Sequence, residues 1–283
     1  MIHRLIDRWE EKAEISRLCR LLEVSRSGYY AARRRLRGPR TVCAEGVALA
    51  AAFHASDGNY GSQRLSEALK NEGIPVGRYR ARSLMRQQRL RPSWRHKFVH
   101  TTDSQHDLPV AQNLLQRQFQ TQAMNRVWVA DITYIRTRQG WLYLAAVVDL
   151  FSRKVIGWAA APTMPAQLVC SALQMAIAAR QPSPGLIVHS DRGCQYASAE
   201  HRRLLAHYGL VASMSRKGDC WDNAVMERFF LTLKMERVWR RDYANHLEAA
   251  QDITDYIVNF YNASRLHSTL GYCSPNQYER CHA

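Results

Sequence analysis

Between residues 127 and 161 three runs follow one another with only short interruptions: VWVADITYIRT (127–137), WLYLAAVVDL (141–150) and KVIGWAAA (154–161). Each is rich in Val, Ile and aromatic residues, which pack well on a pleated surface. Loops as short as Arg138-Gln139-Gly140 join them. Strands this close in sequence are expected to turn back on one another as a meander. Inside the first of them stands Asp131, flanked by Trp128-Val129-Ala130 and Ile132-Thr133-Tyr134. An ionisable group amid buried-strand residues is costly unless it is paired or bound to a metal.

Downstream the pattern alternates. A helix is expected over 165–180, a strand at 186–190, a helix near 198–208 and a short strand at 210–215. Final helices follow at about 222–238 and 246–262. A meander followed by alternating helix and strand describes an α/β layer fold of the ribonuclease-H type over 125–283. Two more acids fall where such a fold places chemistry. Asp191 ends the fourth strand in HSDRGCQY (189–196), and Glu227 lies on the helix opened by WDNAVMERFFLTLK (221–234). On that helix Asn223, Glu227 and Lys234 are spaced i, i+4 and i+11 and share a face. His189 and Asn223 are candidates for supporting the three acids.

Three carboxylates gathered in one place repel by roughly 4 kcal/mol per pair at 4 Å and an effective dielectric of 20. A divalent cation relieves that repulsion, and oxygen-only ligands favour Mg²⁺ or Mn²⁺. Two such ions can activate an attacking oxygen and stabilise the leaving oxygen of a phosphodiester.

The segment before residue 125 is helical and basic. Ile15, Leu18 and Leu22 form an apolar stripe, Glu23-Val24-Ser25 a turn, and Ser25 a cap for a second helix running through Gly28 to Arg35. This is a helix-turn-helix pattern with Arg33, Arg34 and Arg35 on the second helix, closed by Gly38-Pro39. A second helical unit spans 41–100. It has helices near 44–55, from Gln63 to Asn71 and from Arg78 to Arg89, and the last carries Arg78, Arg82 and Arg86 as candidate phosphate contacts. Residues 1–40 and 41–100 are thus expected to be DNA-binding units, with 101–124 a connector. Of a net charge of +16, the first 120 residues supply +11, from 22 Lys+Arg against 11 Asp+Glu. An excess of this size attracts a polyanion.

Other classes are excluded. No apolar run approaches the roughly 18–20 residues of a membrane span, and the N-terminus has no signal-peptide core. Seven scattered cysteines without a C-x-x-C pair argue against a disulfide framework and for a reducing cytoplasm. His96 and His100 have ligand-like spacing, but no cysteine pair completes a zinc site.

The motifs ADITYI (130–135), HSDRGCQY and DNAVMERFFLTLK, together with YNASRLHSTLGYCSP (261–275), resemble the downstream-frame (OrfB) transposases of the bacterial insertion-sequence-three family. YGSQRL (60–65) and SRSGYYA (25–31) resemble that family's N-terminal region, so the likeness spans nearly the whole chain. The resemblance implies that Asp131, Asp191 and Glu227 are the Asp, Asp and Glu of a DDE integrase core, and that Lys234 holds DNA near two Mg²⁺ or Mn²⁺ ions. It implies cleavage of an element's 3′ ends followed by attack of the freed 3′-OH on target DNA. The implied partners are terminal-repeat and target DNA, further copies of the chain, and the upstream-frame OrfA protein, in some cases as a frameshifted fusion. The implied setting is the bacterial cytoplasm at the nucleoid. The competing expectation is a catalytically inactive remnant that binds DNA as a regulator.

Overall fold

The computed structural model describes residues 2–9, 13–37, 43–92, 108–216 and 220–282. His96, His100, the turn at Gly38-Pro39 and the first part of the expected connector lie outside them. The chain divides into two compact units, Met1–Val47 and Ala48–Ala283.

In the first unit α1 (Ile2–Trp9), α2 (Ile15–Leu21) and α3 (Arg26–Arg37) meet at Ile6, Cys19 and Tyr29, with Ile15, Leu18 and Leu22 packed beside them. The turn between α2 and α3 has Glu23 at φ 52, and the Ser25 hydroxyl accepts the Gly28 N–H at 3.1 Å. That bond is the expected helix cap, and α3 begins at the next residue, Arg26.

In the second unit, α4 (Ala44–Ala55) from Ala48 onward, α5 (Ser62–Asn71) and α6 (Arg78–Gln87) enclose Leu49, Phe53, Leu65, Leu69, Leu84 and Met85. At 12, 10 and 10 residues these helices are too short to be stable alone, so their shared core is what holds them. The strands follow: β1 (Val127–Thr137), β2 (Gly140–Asp149) and β3 (Val155–Ala161) form the expected antiparallel meander. After α7 (Ala166–Arg180), β4 (Ile187–Ser190) joins β1 in parallel. Then α8 (Cys194–Ala197) and α9 (Ala199–His207) lead to β5 (Val211–Met214), parallel to β4. The sheet order is β3-β2-β1-β4-β5, which puts β1 at the centre.

Both faces of the sheet are covered, so its strands are apolar on both sides. One face carries α7. It approaches β3 so closely that a Cβ on Gly157 would lie 2.2 Å from the Ala172 carbonyl, which only glycine avoids. The other face carries α10 (Ala224–Glu236) and α11 (His246–Asp255). Met226, Phe229, Phe230 and Leu233 of α10 lie against Val127, Val129 and Ile135 of β1. At about 2 kcal/mol for each buried side chain, this seam alone fixes α10 to the central strand. A π-helical turn (Tyr256–Asn262) continues α11, and α12 (Pro275–His282) ends the chain. The Asn262 amide pairs with both backbone groups of Val155, at 3.0 and 2.8 Å, and so satisfies the free edge of β3.

Candidate active site

The register of the central strands brings the first two acids together. β1 and β4 run parallel with Val129 opposite His189. Two residues further along each chain come Asp131 and Asp191, at the same end of neighbouring strands. Asp131 shares the alternating face of Val127, Val129 and Ile135, the face that α10 covers, and the charge of Glu227 on α10 acts on it.

The three acids share one field. Burial pushes the Asp131 carboxyl well above its ordinary value of 3.8, and the charges of Asp191 and Glu227 raise it further. The Ile132 N–H, 2.7 Å from its Oδ1, and Lys234 act in the opposite sense. Lys234 is itself buried, its Nζ lies 4.6 Å from the centre of the Tyr134 ring, and burial lowers its pKa against the attraction of Asp131. Asp191 is held by a tight turn in which Gly193 N–H donates to its Oδ1 at 2.9 Å. A Cβ on Gly193 would come within 3.0 Å of that same oxygen, so a side chain there would crowd the carboxylate.

Two buried polar atoms beside this cluster have no hydrogen-bond partner: Asn223 Oδ1 and the Tyr196 hydroxyl. Asn223 donates through Nδ2 to the Ala130 carbonyl at 3.3 Å, tying the residue before α10 to the residue before Asp131. Because a carbonyl only accepts, the amide orientation follows from this bond, and Oδ1 is left facing elsewhere. Burial, and then the charges of Asp131 and Asp191, push the fully buried Tyr196 hydroxyl well above its ordinary value. Orphaned acceptors and donors next to repelling carboxylates fit a site completed by hydrated divalent cations. Among the described residues no three carboxylates, imidazoles or thiols are close enough to hold one ion between them. The donor set is an open row of acids drawn from β1, the end of β4 and α10.

His189 is fully buried, and its Nε2 lies 3.1 Å from the Asp222 carbonyl, which makes that nitrogen the donor. Its Nδ1 then accepts from Ser213 Oγ at 2.8 Å, and burial lowers its pKa to about 4. A neutral imidazole here braces β4, β5 and the 3₁₀ turn (Cys220–Asn223) that opens α10. Asp222, in that turn, is a residue that motif spacing missed. Its carboxylate takes Arg216 Nε and Nη2 at 3.0 and 2.9 Å, Arg117 Nε at 2.9 Å and Asn113 Nδ2 at 2.8 Å. These donors hold its pKa far below the usual carboxylate range. The Arg117 and Arg216 side chains remain 43% and 55% exposed, so their charge still faces solvent.

Of the expected DNA contacts, Arg78, Arg82 and Arg86 all lie on the exposed face of α6, beside Tyr79 at 83% exposure. Arg34 is exposed on α3, while Arg33 turns inward to Tyr29 (3.2 Å) and Asp7 (3.8 Å). Arg35 belongs to the same helix, and its side chain lies outside the described residues.

The chain matches known families and proteins along its length. Residues 44–98 match the family described as HTH-like domain, and residues 121–220 and 208–275 match two models described as integrase core domain. Among solved structures, the HTLV-2 integrase catalytic core in complex with magnesium aligns with a TM-score of 0.44 and 18% identity, over 55% of this chain and 97% of that one. The Shigella sonnei insertion element IS600 31 kDa protein is 43% identical over 260 residues, 91% of this chain and 96% of that protein. Transposase InsF of insertion sequence IS3A from Escherichia coli K12 is 41% identical over 285 residues, covering 99% of this chain and 98% of the relative. A likeness of that depth, running from end to end, makes this chain a member of the IS3 family of insertion-sequence transposases.

Proposed function

We propose that the chain is the DDE transposase of an insertion sequence, cutting the element's 3′ ends and joining them to target DNA, with Asp131, Asp191 and Glu227 as its catalytic carboxylates. The observation that carries this reading is the Asp131 carboxyl, buried in the central strand and raised by Asp191 and Glu227 together. A buried carboxyl perturbed by two neighbouring acids is the mark of a candidate functional site. Two Mg²⁺ or Mn²⁺ ions bound there would supply an activated oxygen nucleophile and neutralise charge on the departing oxygen.

The chain's own residues do the rest. Asn223 keeps Glu227's helix in register with Asp131, and Gly193 orients the Asp191 oxygens. Lys234 sets a buried positive charge beside the acids, positioned by the Tyr134 ring to meet a DNA phosphate. Residues 1–40 and 41–100 act as DNA-binding units through Arg34, Arg35, Arg78, Arg82 and Arg86, with Arg33 bracing α3. Residues 101–124 connect them to the catalytic region, 125–283. No helix among the described residues is long and apolar enough to cross a membrane. The proposed setting is the bacterial nucleoid, where copies of the chain assemble on the element's ends with the upstream-frame OrfA protein.

The test is purified full-length protein with Mg²⁺ or Mn²⁺ and terminal-repeat DNA, beside Asp131→Asn, Asp191→Asn and Glu227→Gln. Metal-dependent 3′-end cleavage that disappears in all three variants is expected. Equal cleavage by wild type and variants would sink the assignment, and DNA binding without metal-dependent cleavage by wild type would favour the regulator reading.

A further inference from the structure

Helix α10 carries Glu227 near its start and ends at Glu236, a half-turn away around the helix axis. Glu236 is buried, and its carboxylate takes Nε and Nη2 of the equally buried Arg265 at 2.8 and 2.7 Å and the Tyr256 hydroxyl at 2.7 Å. Arg64 of α5 stands 3.8 Å from the same carboxylate, and its guanidinium stacks 5.7 Å from the Tyr60 ring centre. The Tyr60 hydroxyl donates to the Ser264 carbonyl at 3.3 Å and accepts the Leu266 N–H at 2.9 Å. Leu266 itself is part of the apolar core of α4, α5 and α6. Just past α10, Arg240 reaches back to Asn59 at 2.9 Å and Asp57 at 3.4 Å in the loop before α5. The two sequence motifs around Tyr60 and Arg265, 205 residues apart, are therefore two halves of one joint.

We propose that this joint locks the helix-turn-helix-like helices α4–α6 to the helix that bears Glu227 and Lys234, so that the enzyme cuts at a fixed distance from the DNA that α6 reads. Tyr60, Arg64, Glu236, Arg240 and Arg265 are positioning residues in this scheme. The inference rests on the reading of α6 as DNA-facing and of Glu227 as catalytic. It follows from the kind of contact present. Bidentate, buried, charge-assisted bonds and a two-way hydroxyl bridge hold one geometry, whereas an exposed linker would allow many.

The experiment changes the spacing in the DNA. Full-length protein with Mg²⁺ is given a terminal duplex, and two further duplexes carrying two or five extra base pairs between the α6 footprint and the scissile phosphate. Wild type is expected to cleave the parent duplex about ten-fold or more faster than either spaced duplex, because a misplaced reacting group forfeits that much rate. In Tyr60→Phe/Arg240→Ala the preference should fall to about three-fold or less, with unchanged affinity for the parent DNA. Spin labels at Ser83→Cys on α6 and Glu200→Cys on α9, with the exposed Cys43, Cys194 and Cys281 replaced, read the joint without catalysis. One narrow distance is expected in wild type and a broad distribution in the variant. Spacing-independent cleavage by wild type, or undiminished discrimination with a narrow distance in the variant, overturns the joint. Arg82→Ala binding DNA as tightly as wild type overturns instead the DNA-facing reading of α6, and the inference with it.

Discussion

The two ends of α10 hold the same residue type in opposite circumstances. At the start Glu227 adds its charge to that of Asp191 on the buried Asp131, beside two polar atoms without partners. At the end Glu236 is surrounded by donors from three other segments, and beside the cluster Asp222 is held ionised by Arg216 and Arg117. Satisfied acids make architecture. An acid buried beside like charges instead attracts a cation, which is the role proposed for Asp131 and its neighbours. The contrast also tells which substitutions should harm catalysis while sparing the fold, and which should do the reverse.

The largest effect is expected at the start of α10. Asp131→Asn, Asp191→Asn or Glu227→Gln should lower Mg²⁺-dependent cleavage by about 10³-fold or more, roughly 4 kcal/mol of transition-state stabilisation. Each variant should fold at least as well as wild type, since a repelling charge is gone. Cleavage rates on terminal DNA beside thermal melts check both halves, and a variant that loses activity only because it melts early breaks the comparison.

At the satisfied end the expectation reverses. Glu236→Gln leaves the Arg265 guanidinium buried without a counter-charge, which should cost about 3–5 kcal/mol of stability. Chemical denaturation of Glu236→Gln measures this directly. Adding Arg265→Met should recover part of the loss, because the orphaned charge leaves with it. A mild effect for Glu236→Gln alone would mean that water reaches the pair.

Protonation sharpens the same contrast. The folded pKa of Asp131 lies above its ordinary 3.8, so its contribution to stability is present below 3.8 and is lost as pH rises through the folded value. Asp222 is depressed, so its contribution is present above 3.8 and lost as pH falls through the folded value. In EDTA, Asp131→Asn should melt a few degrees above wild type at pH 7, with the gap closing toward pH 3.8, whereas Asp222→Asn should melt below wild type at pH 7. Mg²⁺ should raise the wild-type melting temperature at pH 7 and do little for Asp131→Asn.

Much of this was legible in the sequence because it is local. The meander declares itself in three adjacent β-rich runs, Asp131 by being a charge inside one of them, and Glu227 and Lys234 by falling two helical turns apart. That Asp131 and Asp191 come to the same end of neighbouring strands is a property of the folded register of β1 and β4, to which α10 adds the charge of Glu227. Asp222 and Glu236 were invisible for the opposite reason. Arg117 lies 105 residues from Asp222, and Arg265 lies 29 from Glu236. No periodicity within one element announces such partners. Tyr196 was passed over because a tyrosine five residues beyond Asp191 reads as core until its hydroxyl is found unpartnered. Arg33 shows the converse error of scale. A run of arginines reads as one basic face, yet only the fold tells that Asp7 and Tyr29 draw one member inward.

That last distinction yields the smallest prediction. Arg82 sits exposed on α6, and the Arg33 side chain, 17% exposed, is enclosed among the residues of its own unit by a carboxylate and a phenol. A guanidinium that contacts a phosphate releases about one counterion, so Arg82→Ala should reduce the slope of log affinity against log salt by about one. Arg33→Ala should leave that slope unchanged and instead lower the stability of α1–α3 by about 1 kcal/mol, the worth of its bonds to Tyr29 and Asp7. Fluorescence anisotropy on terminal DNA between low and moderate salt separates the two, whatever the absolute affinity. If both substitutions reduced the slope equally, Arg33 would have to swing away from Asp7 on binding, and α3 would be a reading helix that arms itself only on DNA.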